Sequence, residues 1–161
     1  MKYFILILIV GIFGAFGNHY KKVFIIRKRL IEDIINYIDF YDANISVFKN
    51  DLLEINNKYI IVQNNKTANK CNILIKNNNF YTYNYEFFKK YLSTNIGFSV
   101  VDNYFRQIGK SEYIDEKNKN SELKRTLLNQ LKKCENEIKT KGDLVLKILL
   151  AIGAVIAIIL W

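Results

Sequence analysis

At 161 residues, with 50% hydrophobic and 14% aromatic content, the chain has material for one domain of modest size once membrane segments are set aside. A formal charge of +9 admits nucleic acid, an anionic lipid surface or an acidic protein as partner, and for a membrane protein the lipid comes first. A single histidine, His19, and two distant cysteines, Cys71 and Cys134, exclude a histidine relay and a paired-thiolate metal site and read as plain thiols rather than a disulfide.

Residues 3–17, YFILILIVGIFGAFG, are apolar throughout. As a secretory signal they would be cleaved near Ala15, Phe16 and Gly17; as an anchor they would make a short helix of about 25 Å. The charges favour the anchor, because only Lys2 precedes the segment whereas Lys21, Lys22, Arg27, Lys28 and Arg29 follow it. Residues 144–161, LVLKILLAIGAVIAIILW, form a second candidate span of roughly 27 Å. Lys147 suits one interface and Trp161 the other, and Lys132, Lys133, Lys139 and Lys141 again place the basic side before the span. The two segments agree on a membrane hairpin whose central domain is cytoplasmic. Gly11 and Ala15 in the first, and Gly153 and Ala157 in the second, are small residues four apart that would let the helices approach closely.

From Lys21 the spacing of Val23, Ile26, Leu30, Ile34, Ile38 and Tyr41 predicts an amphipathic helix. Asp42 or Asn44 is expected to cap a shorter helix carrying Ile45, Phe48, Leu52 and Ile55. Residues 59–62, 72–75 and 80–85 have strand-like composition, and Asn77, Asn78 and Asn79 could turn a hairpin, yet Phe87, Phe88, Tyr91 and Leu92, and then Val100, Val101, Tyr104, Phe105 and Ile108, return to helical spacing. The balance favours helices joined by Asn-rich loops. DEKNKN at 115–120 reads as a loop before a helix capped at Asn120 or Ser121, with Leu123, Leu127, Leu131, Cys134 and Ile138 as its stripe and Gly142 as a break before the bilayer.

The fold class expected is therefore mainly α: a cytoplasmic helical bundle, residues 19–142, between an N-terminal transmembrane helix at 1–18 and a C-terminal one at 143–161. No phosphate loop, nucleophile elbow or zinc-protease motif occurs, so no enzyme activity, cofactor or metal is expected. The acidic residues Glu32, Asp33, Asp39 and Asp42 directly after the basic cluster argue against nucleic acid. By charge, Arg27 and Arg29 are expected to face an acidic partner, and the cluster as a whole an anionic lipid surface. The rival reading is an exported or surface-anchored basic binding module with a cleaved signal peptide and a C-terminal membrane tail.

Four stretches carry a resemblance: GIFGAFG at 11–17, RKRLIEDIINYI at 27–38, IGKSE at 108–112 and KILLAIGAVIAIILW at 147–161. Over nearly the whole chain the layout resembles the stage III sporulation protein AB family of endospore-forming bacteria. Glu112 stands where that family has Asp, and Glu116 where it has Gln. The resemblance implies a cytoplasmic domain similar to that of type II secretion platform proteins, in the mother-cell membrane facing the forespore. It also implies a non-enzymatic part of a secretion-like complex, beside an ATPase and other subunits, with self-association possible. Ile108, Gly109 and Lys110 match the family segment and are expected to face a partner or fix the fold.

Overall fold

The structure is a computed structural model that describes residues 2–48, 51–64, 73–77, 80–92 and 97–159; Cys71, Asn78, Asn79 and Trp161 lie outside these ranges. The chain is mainly helical. In order it forms α1 (Lys2–Phe48), α2 (Leu52–Asn64), β1 (Leu74–Asn77), β2 (Phe80–Tyr83), α3 (Tyr85–Leu92), α4 (Gly97–Gln107), α5 (Tyr113–Glu137), a π-helical turn (Ile138–Gly142) and α6 (Asp143–Ile159). These elements divide into two units, Met1–Lys28 with Lys132–Trp161, and Arg29–Leu131.

In the first unit the start of α1 packs antiparallel on the π-helical turn and α6, and glycine sets the spacing. A Cβ added to Gly17 would sit 2.7 Å from Leu146 Cδ1 and 3.0 Å from Leu146 Cα, so the two backbones meet where no side chain fits. Gly14 faces Leu150, Gly153 faces Phe13, and Gly142 faces the stem of Lys21. Large apolar side chains point the other way: Phe4, Ile7, Phe16, Val155, Ile158 and Ile159 are all exposed. The continuous helical segment Tyr113–Ile159 is, among the described residues, the one long and apolar enough to cross a membrane, with a mean hydropathy of 2.4 over a stretch that is only 11% buried. Gly142 does not break this segment as expected. The backbone N–H of Asp143 bonds to the Ile138 carbonyl, an i→i+5 link that carries the helix through the glycine.

The second unit buries what the first exposes. Leu30, Ile34 and Ile38 of α1 have no accessible surface, Tyr37 and Tyr41 almost none, and Ile55, Phe88, Val101 and Leu127 close the core from the other helices. Each such side chain contributes about 1.5–3 kcal/mol by leaving water. The expected stripe thus holds at Leu30, Ile34, Ile38 and Tyr41, while Val23 is 36% exposed. Aromatic rings fill the centre: Phe105 lies 5.5 Å from Tyr37, 5.0 Å from Tyr83 and 5.9 Å from Phe88 between centroids.

Three expectations are corrected here. Asp42 and Asn44 cap nothing, because α1 runs on to Phe48; the Asn44 side-chain amide donates to the Phe40 carbonyl one turn back, and Asp42 is engaged by α5. Residues 74–77 and 80–83 pair as antiparallel strands in the register Leu74↔Tyr83 to Asn77↔Phe80, where the balance favours helices and loops, whereas 59–62, strand-like in composition, lie inside α2. Ile73 leads into the hairpin buried, and Asn84 closes it by donating its N–H to the Ile73 carbonyl, then caps α3 by accepting from the Phe87 N–H at 3.3 Å. Finally, 115–120 is helix and not loop, since α5 begins at Tyr113 and turns Glu116 and Asn120 inward.

Candidate functional site

The segment between α4 and α5 holds the most unusual chemistry of the molecule. Ile108 is buried, and its N–H closes α4 on the Tyr104 carbonyl at 2.9 Å. Gly109 then turns the chain at φ +78°, a left-handed conformation that glycine adopts at little cost. A Cβ there would also come within 3.3 Å of Leu52. Its N–H donates at 2.9 Å to Oε1 of Glu116, and Lys110 is exposed beyond it. The Glu116 carboxylate thus holds the turn to the first turns of α5. Of the three residues expected from the family segment, Ile108 and Gly109 fix the fold locally and Lys110 faces solvent.

Glu116 is only 2% exposed, and around it lies a buried polar cluster that the sequence reading missed. Asn120, one turn on and fully buried, donates its amide to Asp42 Oδ1. Tyr37 donates to Asn56 Oδ1 at 2.8 Å. Burial pushes the Tyr41 phenol above its ordinary range, helped by the Glu116 and Asp42 carboxylates. Burial does the same to Tyr37 and Tyr104, with the facing phenols and Glu116 adding to it. All three therefore stay protonated across the working pH range. Three buried atoms of this cluster have no hydrogen-bond partner among the described residues: Tyr104 Oη, Glu116 Oε2 and Asn120 Oδ1.

Tyr104 and Glu116 line a cavity of about 340 Å3 walled by Val100, Ile108 and Leu123 and rimmed by the exposed Asn103, Lys119 and Glu122. The signal for this arrangement was present in the spacing. Glu116, Asn120, Leu123 and Leu127 follow one another at steps of four, three and four, so the polar pair extends the apolar stripe. A wider opening of about 520 Å3 lies beside the hairpin, lined by Tyr81, Tyr83, Phe105 and Arg106 among others. Tyr83 there donates to Asp102, which also pairs with Arg106 at 3.0 Å. Among the described residues no group of three or more His, Cys, Asp or Glu side chains is placed to hold a metal ion.

The charged residues singled out by sequence lie in different settings. Arg27 packs over the Phe24 ring and reaches Glu137 at 3.5 Å, with its side chain only 11% exposed, so its charge is engaged inside the first unit. Lys141 shares the same carboxylate at 2.9 Å, Lys28 pairs with Glu135 at 3.0 Å, and Lys21 with Asp143 at 2.7 Å. Cys134 is buried in this unit, and burial raises its thiol above the ordinary value. Arg29, at the edge of the second unit, is exposed, as are Lys22, Lys132, Lys133 and Lys139.

The small residues expected to form the helix contact are likewise divided. Gly153 and Ala157 are buried, and Gly153 meets Phe13. Gly11 and Ala15 are exposed, and a Cβ on Gly11 would meet nothing within 4 Å; Gly14 and Gly17 make the approach instead. Gly14, Gly17, Lys21, Phe24 and Lys28 follow one another at steps of three and four, the spacing that keeps one helix face toward a partner. Ala15 falls outside that series.

Comparison with protein-family models, with curated proteins and with solved structures finds no match to this chain.

Proposed function

We propose that this protein is a non-enzymatic, integral membrane assembly component. Its two apolar helical segments cross the bilayer as an antiparallel hairpin, and its helical body stands in the cytoplasm for other subunits to dock. The observation that carries this reading is the glycine-spaced contact of Gly14, Gly17 and Gly153 with Leu150, Leu146 and Phe13, backed by large apolar side chains turned outward. In water such an outward apolar surface is unfavourable. In lipid it costs nothing, and close backbone approach is what holds helices together. The exposed basic residues Lys22, Arg29, Lys132, Lys133 and Lys139 support the cytoplasmic side and an anionic headgroup surface as neighbour.

By its resemblance to the stage III sporulation protein AB family, the complex served is a secretion-like assembly of endospore development. It lies in the mother-cell membrane and is built with an ATPase and further subunits, copies of this chain included. Arg29 and Lys110, both exposed, are the residues offered to those partners.

A chain with Cys71 and Cys134 replaced and a single cysteine at the exposed Asn118 tests the topology. An impermeant maleimide should label it only after the cells are opened. Labelling of intact cells would place the body outside and support the exported module. Arg29→Glu should weaken co-purification of partner subunits and leave membrane insertion unchanged; undiminished co-purification would remove Arg29 from the docking surface.

A further inference from the structure

We propose that the cavity beside Glu116 is a binding site for a primary alkylammonium group, whether carried by a free amine or by a lysine side chain. Glu116 Oε2 and Tyr104 Oη both belong to residues lining the cavity, both are buried, and both lack a partner among the described residues. Asn120 Oδ1, one turn along α5, is a third buried acceptor in the same condition. A carboxylate withdrawn from water calls for a compensating positive charge. Among the described residues the donors that reach this carboxylate are neutral, the Gly109 N–H at Oε1 and the Tyr41 phenol, and the lysine on the rim, Lys119, is turned to Ser111 Oγ at 2.6 Å.

The missing group is therefore cationic and a donor. A primary ammonium has three N–H donors and no acceptor, which suits the Glu116 carboxylate oxygen and a Tyr104 hydroxyl able to accept. Val100, Ile108 and Leu123 give the walls an apolar character along which an alkyl stem can lie, and about 340 Å3 holds a stem of several carbons rather than a bare ion. Glu122 at the rim offsets the positive charge of Lys119 there, so the mouth does not repel an approaching cation.

The test uses the full chain in detergent micelles and titrates n-butylammonium against the neutral isostere n-butanol, by calorimetry and by the shift in thermal midpoint. Saturable binding of butylammonium that butanol does not reproduce is the expected result. Glu116→Gln keeps an oxygen for the Gly109 N–H and removes only the charge; it should weaken binding by about tenfold or more. Tyr104→Phe, which retains the ring, should weaken it by about threefold to tenfold.

If Glu116→Gln does not fold, Tyr104→Phe and the butanol comparison still decide. Equal binding of amine and alcohol, equal binding by the Gln variant, or no binding at all with the cavity filled by water would each overturn the assignment. A lysine-containing peptide binding more tightly than butylammonium would name a protein as the source; the reverse would name a free amine.

Discussion

The two units of this chain put bulk in opposite places. The terminal unit meets through glycines and turns Phe4, Ile7, Phe16 and Ile158 outward, whereas the body turns Tyr37, Tyr41, Phe88 and Leu30 inward and leaves lysines outside. Both are helical, so helix propensity does not separate them. On the function proposed above, what separates them is the solvent each is shaped for: burial of large side chains stabilises a helical core in water, while in lipid only close packing and paired polar groups remain to do so. Ion pairs fit this division, since Lys21 with Asp143 and Arg27 with Glu137 gather at one end of the terminal unit, below its most apolar stretch.

The comparison can be broken hardest in the body. Phe88→Ala removes a ring with no exposed surface and should cost about 3–5 kcal/mol, read as a lowered thermal midpoint of the full chain in micelles. A change below about 1 kcal/mol would mean that this core is not closely packed. Next comes Gly17→Leu, where the side chain would collide with the Leu146 backbone; about 1–3 kcal/mol of packing should be lost, while Gly11→Leu, with open space around it, should be near neutral. Equal effects at the two glycines would contradict the helix contact described above.

Gly109→Ala sharpens the comparison at the α4–α5 turn. The left-handed backbone and the approach to Leu52 together should cost about 1–2 kcal/mol, and the Cys134 environment in the other unit should stay unchanged by thiol labelling.

The smallest effect concerns pH. Burial, opposed by the amide of Asn120, raises the Asp42 carboxyl above its usual range, so the folded chain holds that proton more tightly than the unfolded one. The resulting stability is fully present below about pH 3.9 and is lost as pH rises through the higher folded value. Asp42→Asn should therefore match the wild type in acid and gain on it toward neutrality. Parallel stability profiles across that range would show that Asp42 is not perturbed.

Much of the body was legible because its helices carry regular apolar spacing: Leu30, Ile34, Ile38 and Tyr41 were read correctly, as were Leu123 and Leu127 of the stripe along α5. The hairpin was harder, since four-residue strands leave too short an alternation to outweigh the helical spacing that follows. Glu116 and Asn120 were hidden by composition. Among lysines they look solvated, and only their register with Leu123 shows that they turn inward. Helix faces rich in small residues were ambiguous for a different reason: Gly11, Gly14, Ala15 and Gly17 offer more than one possible contact face, and only a partner helix selects among them.

The π-helical turn at Ile138–Gly142 acts as a phase shifter. An i→i+5 turn holds more residues than an α turn, so every side chain beyond it is rotated by about 100° from where an unbroken α-helix would carry it. Closing the turn to α geometry with every residue kept would swing α6 about its own axis and take Gly153 off Phe13, whereas deleting one residue as it closes, such as Thr140, would restore the phase and keep the contact. The pairing of the two apolar segments thus depends on geometry outside both of them, in one wide turn of a polar helix.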